Sequence, residues 1–315
     1  MSRRPPRTRP PLTVLVTGAH GMLGRAVTTA LLQAGHHPVP LGHQDLDITR
    51  ADAVRDAFAT HRPHTVVNCA AHTAVDAAET DEAAAHRLNA EGPRHLAEAA
   101  AHRDYWAAPV HPTRLIHIST DYVFDGDTDH PYPVTAPTRP RTAYGRTKLA
   151  GEHAVLGTLP EAGTVLRTAW LYGAHGSHFP ATMARLALDP DRTVHVVADQ
   201  YGQPTWTGDL ATRIAALTDR PHPGVLHATN TGEATWYDLA REVFTRLGAD
   251  PGRVRPVTTA EMPRPAPRPA RTTLDHACWA PTGLPPLRDW RDALAAAWPT
   301  LGLTPTTVPD PTGGP

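Results

Sequence analysis

Tyr144 and Lys148 stand four residues apart in Ala-Tyr-Gly-Arg-Thr-Lys-Leu-Ala-Gly-Glu, a spacing that puts both heads on one face of a helix. The pair suits proton transfer. A free phenol ionises at about pH 10, too high for easy exchange near neutrality, and an adjacent ammonium lowers that value by favouring the phenolate. Thr120, in Ser-Thr-Asp-Tyr-Val-Phe ahead of a Pro- and Thr-rich loop, offers a hydroxyl as third partner.

The elements that must position these groups begin with a β-branched apolar run, Leu12 to Thr17, ending in Gly18-Ala-His-Gly21-Met22-Leu23-Gly24. Arg25 to Ala34 then has helical composition and Gly35 stops it. Strand, glycine-rich turn and helix form a pyrophosphate cradle: glycines permit the tight turn, and backbone N–H groups meet the anion at the positive helix end. The spacing is G-x-x-G-x-x-G rather than the G-x-G-x-x-G dinucleotide fingerprint, and a plain strand-to-helix turn also favours glycine. His37 to Leu41 reads as the second strand. It ends in Gly42-His43 with no acid for a ribose 2′-OH, so a 2′-phosphate is not repelled and NADPH is favoured over NADH. Asp47 and Ile48 follow; they line an adenine pocket, or Asp47 simply opens the helix Thr49 to Thr60.

Thr65 to Ala71 is a third buried strand, closed by His72 and Thr73, with small residues that permit close ligand approach. Val75 to His86 and Glu91 to His102 read as Ala-rich helices on either side of Asn89. Leu115 to Ser119 is the next strand and carries Thr120 and Asp121 to the carboxyl edge, where open parallel sheets bind ligands. Thr164 to Ala169 delivers Trp170 to the same edge, as a ring for a sugar or as core. Val194 to Val197 begins a short strand, Asp199 to Asp209 reads as loop, and Leu210 to Leu217, Trp236 to Leu247 and Leu287 to Trp298 as helices around a strand at Gly224 to Ala228. The four prolines of Pro263 to Arg271 exclude helix and central strand; Arg264, Arg268 and Arg271 make this stretch a diphosphate clamp or a solvated linker.

A chain of 315 residues accommodates a core domain with a smaller lobe. We expect a disordered basic arm over 1–11, a dinucleotide-binding domain over 12–170, a mainly substrate-binding lobe over 171–303 with chain exchange between the two, and a disordered tail over 304–315. The net charge of −1 gives no field that draws in nucleic acid or an anionic membrane. No segment reads as a signal peptide or a membrane span. Cys69 and Cys278 lack metal or redox spacing, which suggests buried thiols in a reducing, cytoplasmic compartment. Twenty histidines occur without a metal-binding pattern, and no metal ligands are assigned.

In these motifs the chain resembles the extended short-chain dehydrogenase/reductases, and within them the dTDP-4-dehydrorhamnose reductase family. The matching stretches are Gly18 to Gly24, Asn68 to Glu79, Ser119 to Gly126, Tyr144 to Glu152, Arg167 to Trp170 and Asp199 to Thr205, in order along the chain. The resemblance implies an α/β fold, a Rossmann-type doubly wound parallel sheet with a smaller C-terminal lobe. It also implies NAD(P)H-dependent reduction of the C4 keto group of a dTDP-4-dehydro-6-deoxyhexose, first of all dTDP-4-dehydro-L-rhamnose. By resemblance, Tyr144 is the proton donor, Lys148 holds the nicotinamide ribose and tunes Tyr144, and Thr120 completes the triad. Gly18, Gly21, Met22, Leu23 and Gly24 would follow the pyrophosphate, Asp47 and Ile48 the adenine, and Ala71, His72 and Thr73 the middle of the cofactor, while Thr120, Asp121 and Trp170 would touch the sugar. Some relatives make a Mg²⁺-assisted homodimer contact through acidic residues near the C-terminal helix; Leu287 to Trp298 offers no match, so Mg²⁺ and the homodimer both stand without a motif here. Two further readings share the fold: a nucleotide-sugar epimerase or dehydratase with bound NAD, and a non-catalytic regulatory subunit.

Overall fold

A computed structural model describes residues 10–105 and 112–303; most of the basic arm and the whole 304–315 tail lie outside the described residues. Five strands open the fold: β1 (Thr13–Thr17), β2 (His37–Leu41), β3 (Thr65–Asn68), β4 (Arg114–Thr120) and β5 (Gly163–Thr168). They pair in the order β2-β1-β3-β4-β5, and the strand Gly224–His227 adds beside β5, every pairing parallel. β3, with Thr-Val-Val-Asn buried at all four positions, has the continuous burial that a parallel sheet covered on both faces demands. Strand order reverses at β1, so the carboxyl ends of β1 and β3 flank the crevice where such sheets bind ligands.

Helices α1 (Met22–Gln33) and α2 (Ala51–His61) follow the first two strands. Beyond β3, the expected pair of Ala-rich helices is cut differently. Asp81 ends α3 (Val75–Thr80) and its carboxylate caps α4 (Glu82–His86) by accepting from Ala84 N at 2.8 Å; a π turn over Arg87–Glu91 then leads directly into α5 (Gly92–Ala101). The next helix, α6 (Ala143–Thr158), carries Tyr144 and Lys148, and its N-cap Thr142 accepts from Gly145 N. Later in the chain, α8 (Thr207–Asp219) packs on α1, and Gly224–His227 then enters the main sheet.

The second lobe is built on α7 (Phe179–Ala187), α9 (Trp236–Arg246), α10 (Trp290–Ala297) and a parallel pair, Val194–Val197 with Val254–Val257. Phe244, Leu239, Trp290 and Leu294 form its core. The polar link expected from Asp199 to Asp209 contains two short strands, Tyr201–Gly202 and Thr205–Trp206. A side chain explains part of this order: Gln203 accepts from Leu274 N and Thr229 Oγ1 and donates to the Leu274 carbonyl. The Pro263 to Arg271 stretch has no regular helix or strand, as its prolines require, and it is laced to the first lobe through Ala266 N to Asp76 Oδ1 at 3.1 Å and Arg271 N to Gly126 O at 3.3 Å. No helix among the described residues is long and apolar enough to cross a membrane.

Candidate active site

At the reversal point the chain makes a cradle. Gly18 has φ +61°, and a Cβ there would lie 2.6 Å from Ala70 N at the end of β3; a Cβ on Gly24 would lie 2.3 Å from Gly18 O. Only glycine lets β1, the turn and α1 approach so closely. Gly21 caps α1 without any side-chain hydrogen bond, so the helix's first N–H groups face a cavity of ≈ 500 Å³. These glycines, Met22 and Leu23, with Ala71 and Thr73 across from them, make one wall, and the free amide groups fit a dinucleotide pyrophosphate. Asp47, Ile48 and His72 lie outside the cavity lining. Asp47 accepts from Thr49 N and Oγ1, and Ile48 is buried against Gly92. His72 is held by its backbone: Asn89, on the π turn, accepts from His72 N at 2.8 Å and donates to His72 O at 3.0 Å. Although β2 ends without an acid, Asp45 folds back to accept from Gly42 N at 2.8 Å and faces His20 at 4.0 Å.

The far wall carries Thr120, Asp121, Tyr144 and Lys148. Thr120 ends β4, and its hydroxyl lies near enough to the Tyr144 phenol to bear on its ionisation. Two glycines place α6 for this contact: a Cβ at Gly145 would sit 2.2 Å from Tyr122 O, and one at Gly151 would sit 2.2 Å from Asn89 O. The helix register is set one turn beyond Lys148, where Glu152 accepts from Ser119 Oγ at 2.5 Å and from Arg167 Nε and Nη2 at 2.9 and 2.6 Å. Both members of this ion pair are buried, so removing one would strand the other's charge.

Lys148 does not touch Tyr144. Its Nζ donates to Ile118 O at 2.5 Å and lies 3.4 Å from His117 Nε2. A polar line across the sheet orients that imidazole. Thr17 Oγ1 and Ala70 N donate to Asn68 Oδ1, which leaves Asn68 Nδ2 to donate to His117 Nδ1 at 3.0 Å. The ring proton therefore belongs on Nε2, facing Lys148. Burial pushes Lys148 down to about 8, against the opposing charge of Glu152, and holds His117 well below its ordinary value. Burial also pushes Tyr144 up to about 12, opposed by the neighbouring Thr120 hydroxyl. The sequence expectation was a phenol lowered by lysine; in this arrangement the desolvation of the phenol is the larger effect.

Trp170 has φ +45°, a genuine outlier for a bulky residue. Its indole stacks on Trp236 at 3.6 Å and 10°, and Gly202 has no side chain because the indole fills that space. Asp121 lines the cavity, as do Tyr122 and Trp236, two residues that the sequence reading had not singled out. Tyr122 and Trp236 also line a second cavity of ≈ 460 Å³ in the other lobe, together with Arg264 and Arg268. Arg268 is already engaged: its Nη2 meets both oxygens of Asp76 at 2.8 Å. Arg271 pairs with Glu233 and stacks over Tyr201. Of the three arginines expected to clamp a diphosphate, the two that line this cavity are Arg264 and Arg268. Among the described residues no group of three or more His, Cys, Asp or Glu is arranged to hold a metal ion.

Residues 12–301 match the model of the RmlD substrate binding domain family. This chain belongs to that family. Within the family, it is 58% identical over 91% of its length, and 95% of the relative's, to a probable dTDP-4,6-dihydroxy-2-methyloxan-3-one 4-ketoreductase of Streptomyces antibioticus. It is 53% identical to a dTDP-4-dehydrorhamnose reductase of Streptomyces griseus, over 94% of this chain and 97% of the relative. A Bacillus anthracis dTDP-4-dehydrorhamnose reductase solved in complex with NADP superposes with a TM-score of 0.85 at 33% identity, over 92% of this chain and 99% of that one. The doubly wound sheet and the smaller lobe are thus those of the RmlD family.

Proposed function

We propose that this chain is an NAD(P)H-dependent reductase of the C4 keto group of a dTDP-4-dehydro-6-deoxyhexose, with dTDP-4-dehydro-L-rhamnose going to dTDP-L-rhamnose as the leading pair. The observation that carries the reading is the convergence of the Tyr144 phenol, the Thr120 hydroxyl and the Lys148 side chain on a cavity whose opposite wall is a glycine cradle. The similarity to 4-ketoreductases of dTDP sugars supports the same reading.

When bound, the reduced nicotinamide supplies a hydride. The residues of the chain do the rest. Gly18, Gly21, Met22, Leu23 and Gly24 hold the pyrophosphate on the α1 terminus; Ala71, His72 and Thr73 frame the middle of the cofactor; and Asp47 and Ile48 shape the adenine end. NADPH is our leading cofactor, because β2 ends in Gly42-His43 and carries no acid of its own to repel a 2′-phosphate. Tyr144, protonated across the physiological range, donates to the oxygen that gains charge at C4, while Thr120 orients the phenol. Lys148 holds the ribose. Asp121 and Trp170 contact the sugar, and the second cavity, with Arg264, takes the nucleotide. We place the enzyme in the cytoplasm, where Cys69 and Cys278 stay free, and a native mass measurement decides whether it works as a homodimer.

The test is reduced-cofactor consumption with dTDP-4-dehydro-L-rhamnose by the native protein and by Tyr144→Phe. Turnover by the first and a loss on the order of 10²–10⁴-fold in the second are expected. A native protein that consumes no cofactor with any dTDP-4-keto sugar would overturn the reading.

A further inference from the structure

Reduction of a ketone consumes one proton per turnover, and Tyr144 holds one. We propose that Asp121 resupplies the Tyr144 proton through the Thr120 hydroxyl, an inference that rests on the reductase reading above. The Tyr144 phenol and the Thr120 hydroxyl line the same cavity, with Thr120 near enough to bear on the phenol, and Thr120 Oγ1 donates to Asp121 Oδ1 at 3.0 Å while accepting from Tyr122 N at 3.2 Å. Phenol, hydroxyl and carboxyl thus stand in sequence, and the relay needs only the phenol to close on Thr120. The other polar neighbour on α6, Lys148, donates to the Ile118 carbonyl.

Asp121 is an unusual residue to bury at this point. It is 2% exposed, and among the described residues it has no ion-pair partner. Its Oδ2 is buried without a hydrogen bond; the Thr272 hydroxyl bears on the carboxyl, but off hydrogen-bond geometry. A carboxylate so placed is costly. Burial accordingly pushes its pKa up to about 6, so near neutrality the group exchanges between acid and carboxylate. It also lines the cavity.

The relay balances. The Tyr144 O–H bond breaks as the O–H bond of the product alcohol forms. The phenolate takes the Thr120 proton, Thr120 takes the carboxyl proton of Asp121, and the carboxylate takes a proton from solvent. No electrons move in these steps.

Asp121→Asn keeps the size and the hydrogen-bonding capacity but cannot supply a proton. A loss of sugar contact lowers both regimes alike, whereas a single turnover, with enzyme in excess, draws only on the proton already on Tyr144; the variant's multiple-turnover rate should therefore fall on the order of tenfold further than its single-turnover rate. Equal losses in both regimes would assign Asp121 to substrate positioning and overturn the relay, as would no loss in either. A readout independent of turnover is the infrared band of a protonated carboxyl. It should be present in the native protein at pH 5, fade through about pH 6 and be missing from the variant; its absence from the native protein at pH 5 would overturn the proposal. Should Asp121→Asn fail to bind NADPH, Asp121→Ser supplies the same comparison. If the native chain itself turns over no dTDP-4-keto sugar, the reductase reading fails, an outcome distinct from a native enzyme whose variant matches it.

Discussion

Asp121 carries a folded-state pKa of about 6 against an ordinary 3.8, and the sign of that shift has a thermodynamic consequence. The folded chain keeps a proton that the unfolded chain loses between those values, so the penalty grows as pH rises from about 4 to 6 and is full above 6, on the order of 3 kcal/mol. Asp121→Asn should therefore be more stable than its parent at pH 8, with the gap closing toward pH 5; denaturant unfolding at both pH values checks this. A variant less stable than the parent at pH 8 would contradict the burial argument. Tyr144 behaves in the same sense. With its phenol pushed up to about 12, it stays protonated near neutrality. The identity of these residues was legible in Tyr-x-x-x-Lys and in Ser-Thr-Asp; their protonation was not. It depends on burial, and on the Ile118 carbonyl that accepts from Lys148.

At the scale of elements, glycines decide which pieces can meet. Gly24→Ala places a methyl 2.3 Å from Gly18 O, within backbone that has nowhere to move. The expected result is a rise in NADPH Kd on the order of tenfold or more, with helix content retained, read by cofactor fluorescence and circular dichroism; an unchanged Kd would mean that the α1 terminus does not hold the cofactor. The first lobe was readable because its apolar runs alternate with Ala-rich amphipathic stretches at strand and helix lengths. The second lobe was less so. α7 follows a polar, glycine-containing turn and opens with Phe-Pro, and Val254–Val257 holds a proline that disguises a strand. The φ +45° of Trp170 left no mark in the sequence, because it is imposed by the stack on Trp236 and by the empty place at Gly202, both distant in the chain.

Across the whole molecule, the proline-rich strap joins the lobes. Asp76, in the Asn68 to Glu79 motif, accepts from Ala266 N at 3.1 Å as well as from Arg268, and so pins the strap beside the second cavity. Asp76→Asn removes that charge and should raise KM for the dTDP sugar on the order of tenfold while leaving NADPH Kd within a factor of two. A rise in both would mean that the pair supports the fold rather than the sugar nucleotide's cavity. Sequence alone showed three arginines in an extended stretch; that Asp76 and Glu233 engage two of them is a fact of packing between lobes. Hydride delivery to C4 beside Tyr144 can be followed with NADPH deuterated at the transferable position and dTDP-4-dehydro-L-rhamnose, with the product read by NMR. One deuterium is expected, bound to sugar C4 and in a single configuration. Product without deuterium at C4, or deuterium at another carbon, would contradict that delivery.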